Sequence, residues 1–147
     1  YSSLKLEKSF DFGKWTLDNS IIYQMIDQND DILNLPQFMS RNTLFFSERI
    51  FRNTLAIQTG INFKIFSKYY ANEYNPLISD FHIQNQKKIG SFPLFDFFFN
   101  AKIRQTKIFI IAEHINSSFT GNNFYSTPES VYRDFGVRFG FKWNLFN

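Results

Sequence analysis

His82 and His114 are the only histidines in the chain. A metal site or an acid–base pair built on either would need further ligands, or an acid, converging on it. No ligand spacing surrounds them. Glu113 precedes His114, but neighbours on a strand point to opposite faces, so the two form no pair. Serines are plentiful, yet no Gly-x-Ser-x-Gly elbow strains one into a nucleophile. Asp27, Asp30 and Asp31 could gather a divalent cation, with a solvated loop as the default. Cysteine is absent, which removes disulfides and thiolate sites. No catalytic residue, metal or cofactor is therefore expected, and the chain does not look like an enzyme.

What remains is the chemistry of charges spaced along strands. Lys64 and Lys68, then Asp96, Lys102 and Arg104, then Arg138 and Lys142, recur at even spacing opposite runs of apolar residues. Glu7, Asp11, Asp18, Glu113 and Asp134 fall on the same inferred wall. Charges of both signs on one wall suit a water-filled passage, where they would set which solutes pass. The alternative is that they cross-link a plugged interior.

The elements that must position these charges are clearest in the last stretch, Arg133 to Leu145. Phe135, Val137, Phe139, Phe141, Trp143 and Leu145 alternate with Asp134, Gly136, Arg138, Gly140, Lys142 and Asn144. Side chains on a strand project with period two, so this is a strand with one apolar wall and one charged, glycine-spaced wall. Leu4, Leu6, Phe10 and Phe12 share a face on the first strand, with Lys8 the one misfit. Gly13 and Lys14 turn the chain, glycine supplying the positive φ of a two-residue hairpin. A strand from Trp15 to about Met25 is followed by a polar loop, Ile26 to Ser40. The next strand, Thr43 to Phe51, cannot be faced, because either parity puts Glu48 or Arg49 among apolar neighbours.

Arg52 and Asn53 turn into a strand from Leu55 to about Tyr69, with Leu55, Ile57, Ile61, Phe63 and Ile65 on one side. Tyr70 to Phe92 alternates only weakly, around Phe81. A strand carrying Phe95, Phe97, Phe99, Ala101 and Ile103 on one side follows, then a turn at Gln105 and Thr106 and a strand ending near Asn116. The polar loop Ser117 to Tyr132 leads to the final strand.

With 147 residues the chain is one domain's worth, and no run of about 18 apolar residues offers a spanning helix. Its 21 phenylalanines coexist with a negative mean hydropathy, as they do when half of each strand meets apolar surroundings and half meets water. A net charge of +3, dispersed along the chain, does not suggest nucleic acid. No secretory signal begins at Tyr1, so one is expected to have been removed or to lie outside this sequence.

If Tyr70 to Phe92 is one loop, the short turns all fall at one end of the strands and the long loops at the other. That is the asymmetry of outer-membrane barrels, with short turns periplasmic. Counting the segment around Phe81 as a spanning strand would break it, so a loop strand or lumen insert is expected there. Amphipathic aromatics gather at membrane interfaces. In this topology Trp15 and Trp143 sit at periplasmic strand ends, and Tyr23, Tyr69 and Tyr132 at outer ends. The fold expected is all-β, an antiparallel up-and-down transmembrane β-barrel. About seven spanning strands is an odd number, so residues 1–147 are expected to be the C-terminal part of one barrel domain with more strands upstream.

The series Arg138, Gly140, Trp143, Leu145 resembles the terminal targeting signal of bacterial outer-membrane barrels. It implies recognition by the barrel-assembly machinery through the terminal strand. From Leu35 onward the chain also resembles the putative porin family of Bacteroidetes outer membranes. The stretches that carry this are Arg41-Asn42-Thr43-Leu44, Gln58-Thr59-Gly60, Lys68-Tyr69-Tyr70, Tyr74-Asn75-Pro76, Asn100 to Thr106, Ala112-Glu113-His114 with Asn116, and Tyr132-Arg133-Asp134-Phe135. The N-terminal hairpin matches only in pattern. The resemblance implies a barrel in the bacterial cell outer membrane that passes small solutes, with outer-membrane lipid and other outer-membrane subunits as partners. The alternative is a plugged barrel acting as a structural or interaction subunit of a larger outer-membrane complex.

Overall fold

The computed structural model describes residues 1–28, 32–120 and 124–144. Long alternating segments separated by turn residues make strands, and here they make one antiparallel sheet of seven. The strands are β1 (Ser2–Phe12), β2 (Trp15–Met25), β3 (Phe38–Ile50), β4 (Leu55–Phe66), β5 (Leu94–Ile103), β6 (Thr106–Glu113) and β7 (Gly136–Trp143). Their order in the sheet is their order in the chain, an up-and-down meander. The sheet is not closed: β1 pairs only with β2, and β7 only with β6.

Tight connections lie at one end of the sheet. Phe12 pairs with Trp15 around Gly13 and Lys14, and Gly13 holds φ +71, which a side chain would resist. Ile50 pairs with Leu55 around the turn 51–54, and Ile103 pairs with Thr106 around Arg104 and Gln105. The long connections 26–37, 67–93 and 114–135 lie at the opposite end. The segregation expected from the sequence is present.

Several boundaries differ from expectation. β3 begins at Phe38, inside the expected polar loop, because Phe38 and Met39 pair with Tyr23 and Ile22 and so extend the ladder. The turn after it spans 51–54, and Phe51, Arg52 and Asn53 all adopt left-handed φ (52, 54 and 66). The next turn is Arg104–Gln105, with Arg104 at φ 52, so Thr106 opens β6. β4 stops at Phe66, and β7 runs from Gly136 to Trp143, shorter than expected. Leu145 of the terminal signal, and Asp30 and Asp31 of the acidic cluster, lie outside the described residues.

The segment around Phe81 does not span. It forms a small hairpin, Glu73–Asn75 with Asp80–His82, above a second short pairing of Tyr69–Tyr70 with Lys88–Ile89. Gln84 holds this arm together, its amide nitrogen donating to the carbonyls of Ala71 (2.6 Å) and Lys87 (2.9 Å). Lys87 in turn donates to the Pro128 carbonyl (2.5 Å) and lies over the Tyr125 ring, tying two long connections together.

The buried apolar cluster is small. Phe92, Leu94 and Phe124 form it, with Phe66 and Tyr132 packed alongside, and the Phe92 and Phe124 rings stand 4.5 Å apart. It sits at the long-loop end. Many large hydrophobic side chains lie elsewhere and are exposed, on one face of the sheet and in the connections.

Candidate functional site

Pairing register assigns every strand residue to one of two walls. One wall carries Leu4, Leu6, Phe10 and Phe12 of β1; Leu17 and Ile21 of β2; Leu44 and Phe46 of β3; Ile61 and Phe63 of β4; Phe97 and Phe99 of β5; Ile108 and Ile110 of β6; and Phe139 and Phe141 of β7. Its side chains are open to the surroundings, with Phe139 83% exposed, Phe141 75% and Leu4 71%. Contiguous apolar area of this extent marks a surface meant to be covered by something apolar.

The facing of β3, open from its sequence, is settled by these ladders. Phe46, paired with Trp15 and Thr59, belongs to the apolar wall, and so Glu48 does as well while Arg49 does not. Glu48 lies near the short-turn end, where the Lys14 ammonium bridges it. Lys8 is on the apolar wall, level with Asn19 and Asn42 on the next two strands.

The other wall is polar, and its rows can be read across the strands. Nearest the long loops the row is apolar, with Ile22, Met39 and Phe66, and beside it Ser20, Arg41 and Lys64 are neighbours. One row on come Asp18, Thr43, Asn62 and Asp96. Then Phe45, Gly60, Phe98, Ile111 and Arg138 share a row, followed by Ser47, Gln58, Asn100, Phe109 and Gly140. Last, at the short turns, come Arg49, Ala56, Lys102, Lys107 and Lys142. Two depressions of about 780 and 790 Å³ open on this side, lined mainly by its residues.

Acids on this wall are held. The Lys64 ammonium donates to one Asp96 oxygen (2.5 Å), and the other accepts the backbone N–H of His114 (3.0 Å). Glu113 accepts from Arg138 (2.5 Å) and Arg133 (3.1 Å). Ser9 donates to Asp18 (2.5 Å), Thr16 to Asp11 (2.7 Å), and Lys5 pairs with Glu7 (2.7 Å). Bonds of this kind hold a carboxylate in one orientation.

Two glycines allow close approaches on the sheet, Gly60 to the β3 backbone and Gly140 to an aromatic ring. A Cβ on Gly60 would sit 2.6 Å from Phe45 Cβ, and one on Gly140 would sit 2.6 Å from the Phe109 ring. Gly140 of the terminal series is thus the floor beneath an aromatic on the polar wall. Trp143 of the same series stands on the apolar wall and Arg138 on the polar one.

Of the residues expected to contact solute, Lys64, Asp96, Lys102, Arg138 and Lys142 share the polar wall. Lys68 and Arg104 do not sit on a wall strand. Lys68 falls between β4 and the short pairing above it, and Arg104 is the first turn residue after β5. Asp134 precedes β7 and is exposed. Among the expected interface aromatics, Trp15 and Trp143 stand on the apolar wall at the short-turn end and Tyr23 on the same wall at the other.

Tyr132 is a correction: its ring packs against Phe92 and His114 in the loop cluster. Tyr69 is another, half-buried with its ring against Phe66, and burial raises its phenol above the ordinary tyrosine range. Both follow from the chain folding back over the polar side, where Phe66 and Leu94 give it an apolar seat.

Lys5 lies opposite the apolar face of β1, as the alternation of that strand indicates, while Arg41, Arg49 and Lys107 join the polar wall unforeseen. In β6 both parities carry apolar residues, Ile108 and Ile110 on one and Phe109 and Ile111 on the other, so alternation could not show where Lys107 faces. His114 is buried to 2% exposure, and its Nδ1 donates to the Arg133 carbonyl (2.8 Å). Its meeting with Asp96 joins residues far apart in sequence, and no local signal announces it.

A two-faced antiparallel sheet of this kind, apolar and open on one side and charged on the other, has the character of a membrane β-sheet protein. No described helix is long and apolar enough to cross a membrane. Residues 1–147 match the family described as "Putative porin", and the chain belongs to that family. Membership implies a channel-type outer-membrane protein. Among curated proteins and solved structures, none matches the chain.

Proposed function

We propose that the chain forms part of a transmembrane outer-membrane β-barrel and passes small solutes along its polar wall. The observation that carries this is the division of one sheet into an exposed phenylalanine wall and a wall of engaged charges. Phe139 and Phe141 facing acyl chains would each gain about 2 kcal/mol over exposure to water. A lysine or arginine turned outward at the bilayer midplane would cost about 2–4 kcal/mol. The free edges of β1 and β7 leave backbone donors and acceptors unpaired, which lipid does not tolerate. Further strands of the full-length protein therefore complete the barrel. The test is conductance of that protein in a planar bilayer: discrete channels are expected, and a protein that inserts yet never conducts overturns solute passage.

A second reading is favoured by the apolar wall itself. Lys8, Asn19 and Asn42 make a polar stripe across β1, β2 and β3 on the side assigned to lipid. Polar groups facing hydrocarbon are costly unless another protein partners them. Here the barrel would act as a subunit of a larger outer-membrane complex, its passage closed by the arm at residues 69–89. Mild detergent extraction separates the readings: a complex that dissociates on Lys8→Leu with Asn19→Leu, without any channel activity, favours the subunit.

A further inference from the structure

The row nearest the short turns differs from every other row of the polar wall. Lys102, Lys107 and Lys142 occupy directly opposed positions on three consecutive strands, and Arg49 stands in the same row beyond Ala56. Opposed side chains on neighbouring strands lie about 5 Å apart, and like charges placed so repel. Among the described residues no carboxylate pairs with any of the four, although the acids higher on the wall are engaged. The next row supplies neutral donors and acceptors, with the Asn100 amide donating to Gln58 (3.3 Å). These groups line the depression of about 790 Å³. The turn residues Arg52 and Arg104 add positive charge at the same rim.

We infer that this row is a binding station for small soluble anions bearing phosphate or carboxylate groups, an inference that rests on the porin reading above. Repulsion among aligned ammonium groups is relieved when an anion sits between them, so the row is completed by its ligand. An anion reaching this mouth meets focused positive potential, then amides able to bond its uncharged parts. The row lies on the wall opposite the one assigned to lipid, which favours a soluble anion over a lipid headgroup.

The test uses the full-length protein in planar bilayers of zwitterionic lipid under a potassium chloride gradient. Chloride is expected to permeate in preference to potassium, and inorganic phosphate on the short-turn side should reduce the chloride current. Combining Lys102→Gln, Lys107→Gln and Lys142→Gln should lower the permeability ratio several-fold and abolish the phosphate effect. Lys14→Gln removes a cation from the β1–β2 turn at the same end, where it bridges Glu48 of the other wall, and should change neither.

Channels that prefer potassium, or whose preference survives the triple substitution, overturn the anion station and leave the porin reading standing. A preference appearing only when anionic lipid is added assigns the row to headgroups and also overturns it. Absence of any channel overturns the porin reading, and the station with it.

Discussion

The two walls of this sheet are built from the same strands, often from adjacent residues, and yet differ in how their side chains are satisfied. On the apolar wall Phe139, Phe141 and Leu4 stand exposed with nothing of the chain over them. On the polar wall Asp96, only 8% exposed, is met by an ammonium on one oxygen and a backbone N–H on the other. A soluble domain buries its phenylalanines and exposes its acids. The reversal teaches that the chain is finished by two different solvents, and that each wall can be tested by offering it the wrong group.

The largest effect is expected where charge meets hydrocarbon. Phe139→Arg in the assembled, lipid-embedded protein should cost about 2–4 kcal/mol, whereas Asn100→Arg on the polar wall should cost well under 1 kcal/mol. Urea unfolding from lipid vesicles measures both, and equal costs would break the comparison.

Next comes the network around Asp96. Asp96→Ala leaves the His114 N–H without its acceptor and should destabilise by about 1–3 kcal/mol. Asp96→Asn keeps that acceptor, loses only the pairing with the partly exposed Lys64, and should cost less. If the two variants unfold alike, the backbone contact is not what anchors the long-loop end.

Gly60→Ala forces a methyl against Phe45 and the β3 backbone, with an expected cost of about 1–3 kcal/mol from overpacking. Gly140→Ala meets only the outer edge of the Phe109 ring, which can turn aside, so its cost should be the smaller in the same unfolding assay.

The smallest effect concerns Tyr69. Its raised phenol means that the folded chain holds this proton more tightly than the unfolded chain does. The associated stability is full below the ordinary tyrosine value of about 10 and declines as pH rises beyond it. Thermal unfolding followed from pH 8 upward should show that decline, and Tyr69→Phe should flatten it.

Much of this architecture was legible before the fold was known. Gly13 and Lys14, the alternation of Leu55 to Ile65, and that of Phe95 to Ile103 announced strands and turns, since a period of two needs only neighbouring residues to be seen. Long connections against short ones also foretold which ends of the strands lie together. The site was less legible. Arg49 was ambiguous because Glu48 beside it is also charged, and Lys107 was hidden because β6 is apolar on both sides. Arg104 continued the alternation of β5 until a left-handed φ took it into the turn.

By itself the sequence determined that strands form, roughly where they stop, and which side chains of the clearer ones share a wall, because these follow from local backbone geometry. Only the tertiary structure decided which charges stand beside one another. Lys64 meeting Asp96, Asp96 meeting the His114 backbone, and Lys102, Lys107 and Lys142 standing abreast all depend on ladder register across strands. Register is set by long-range pairing and by the length and φ of each turn, and a shift of one residue would have placed every one of those side chains on the opposite wall.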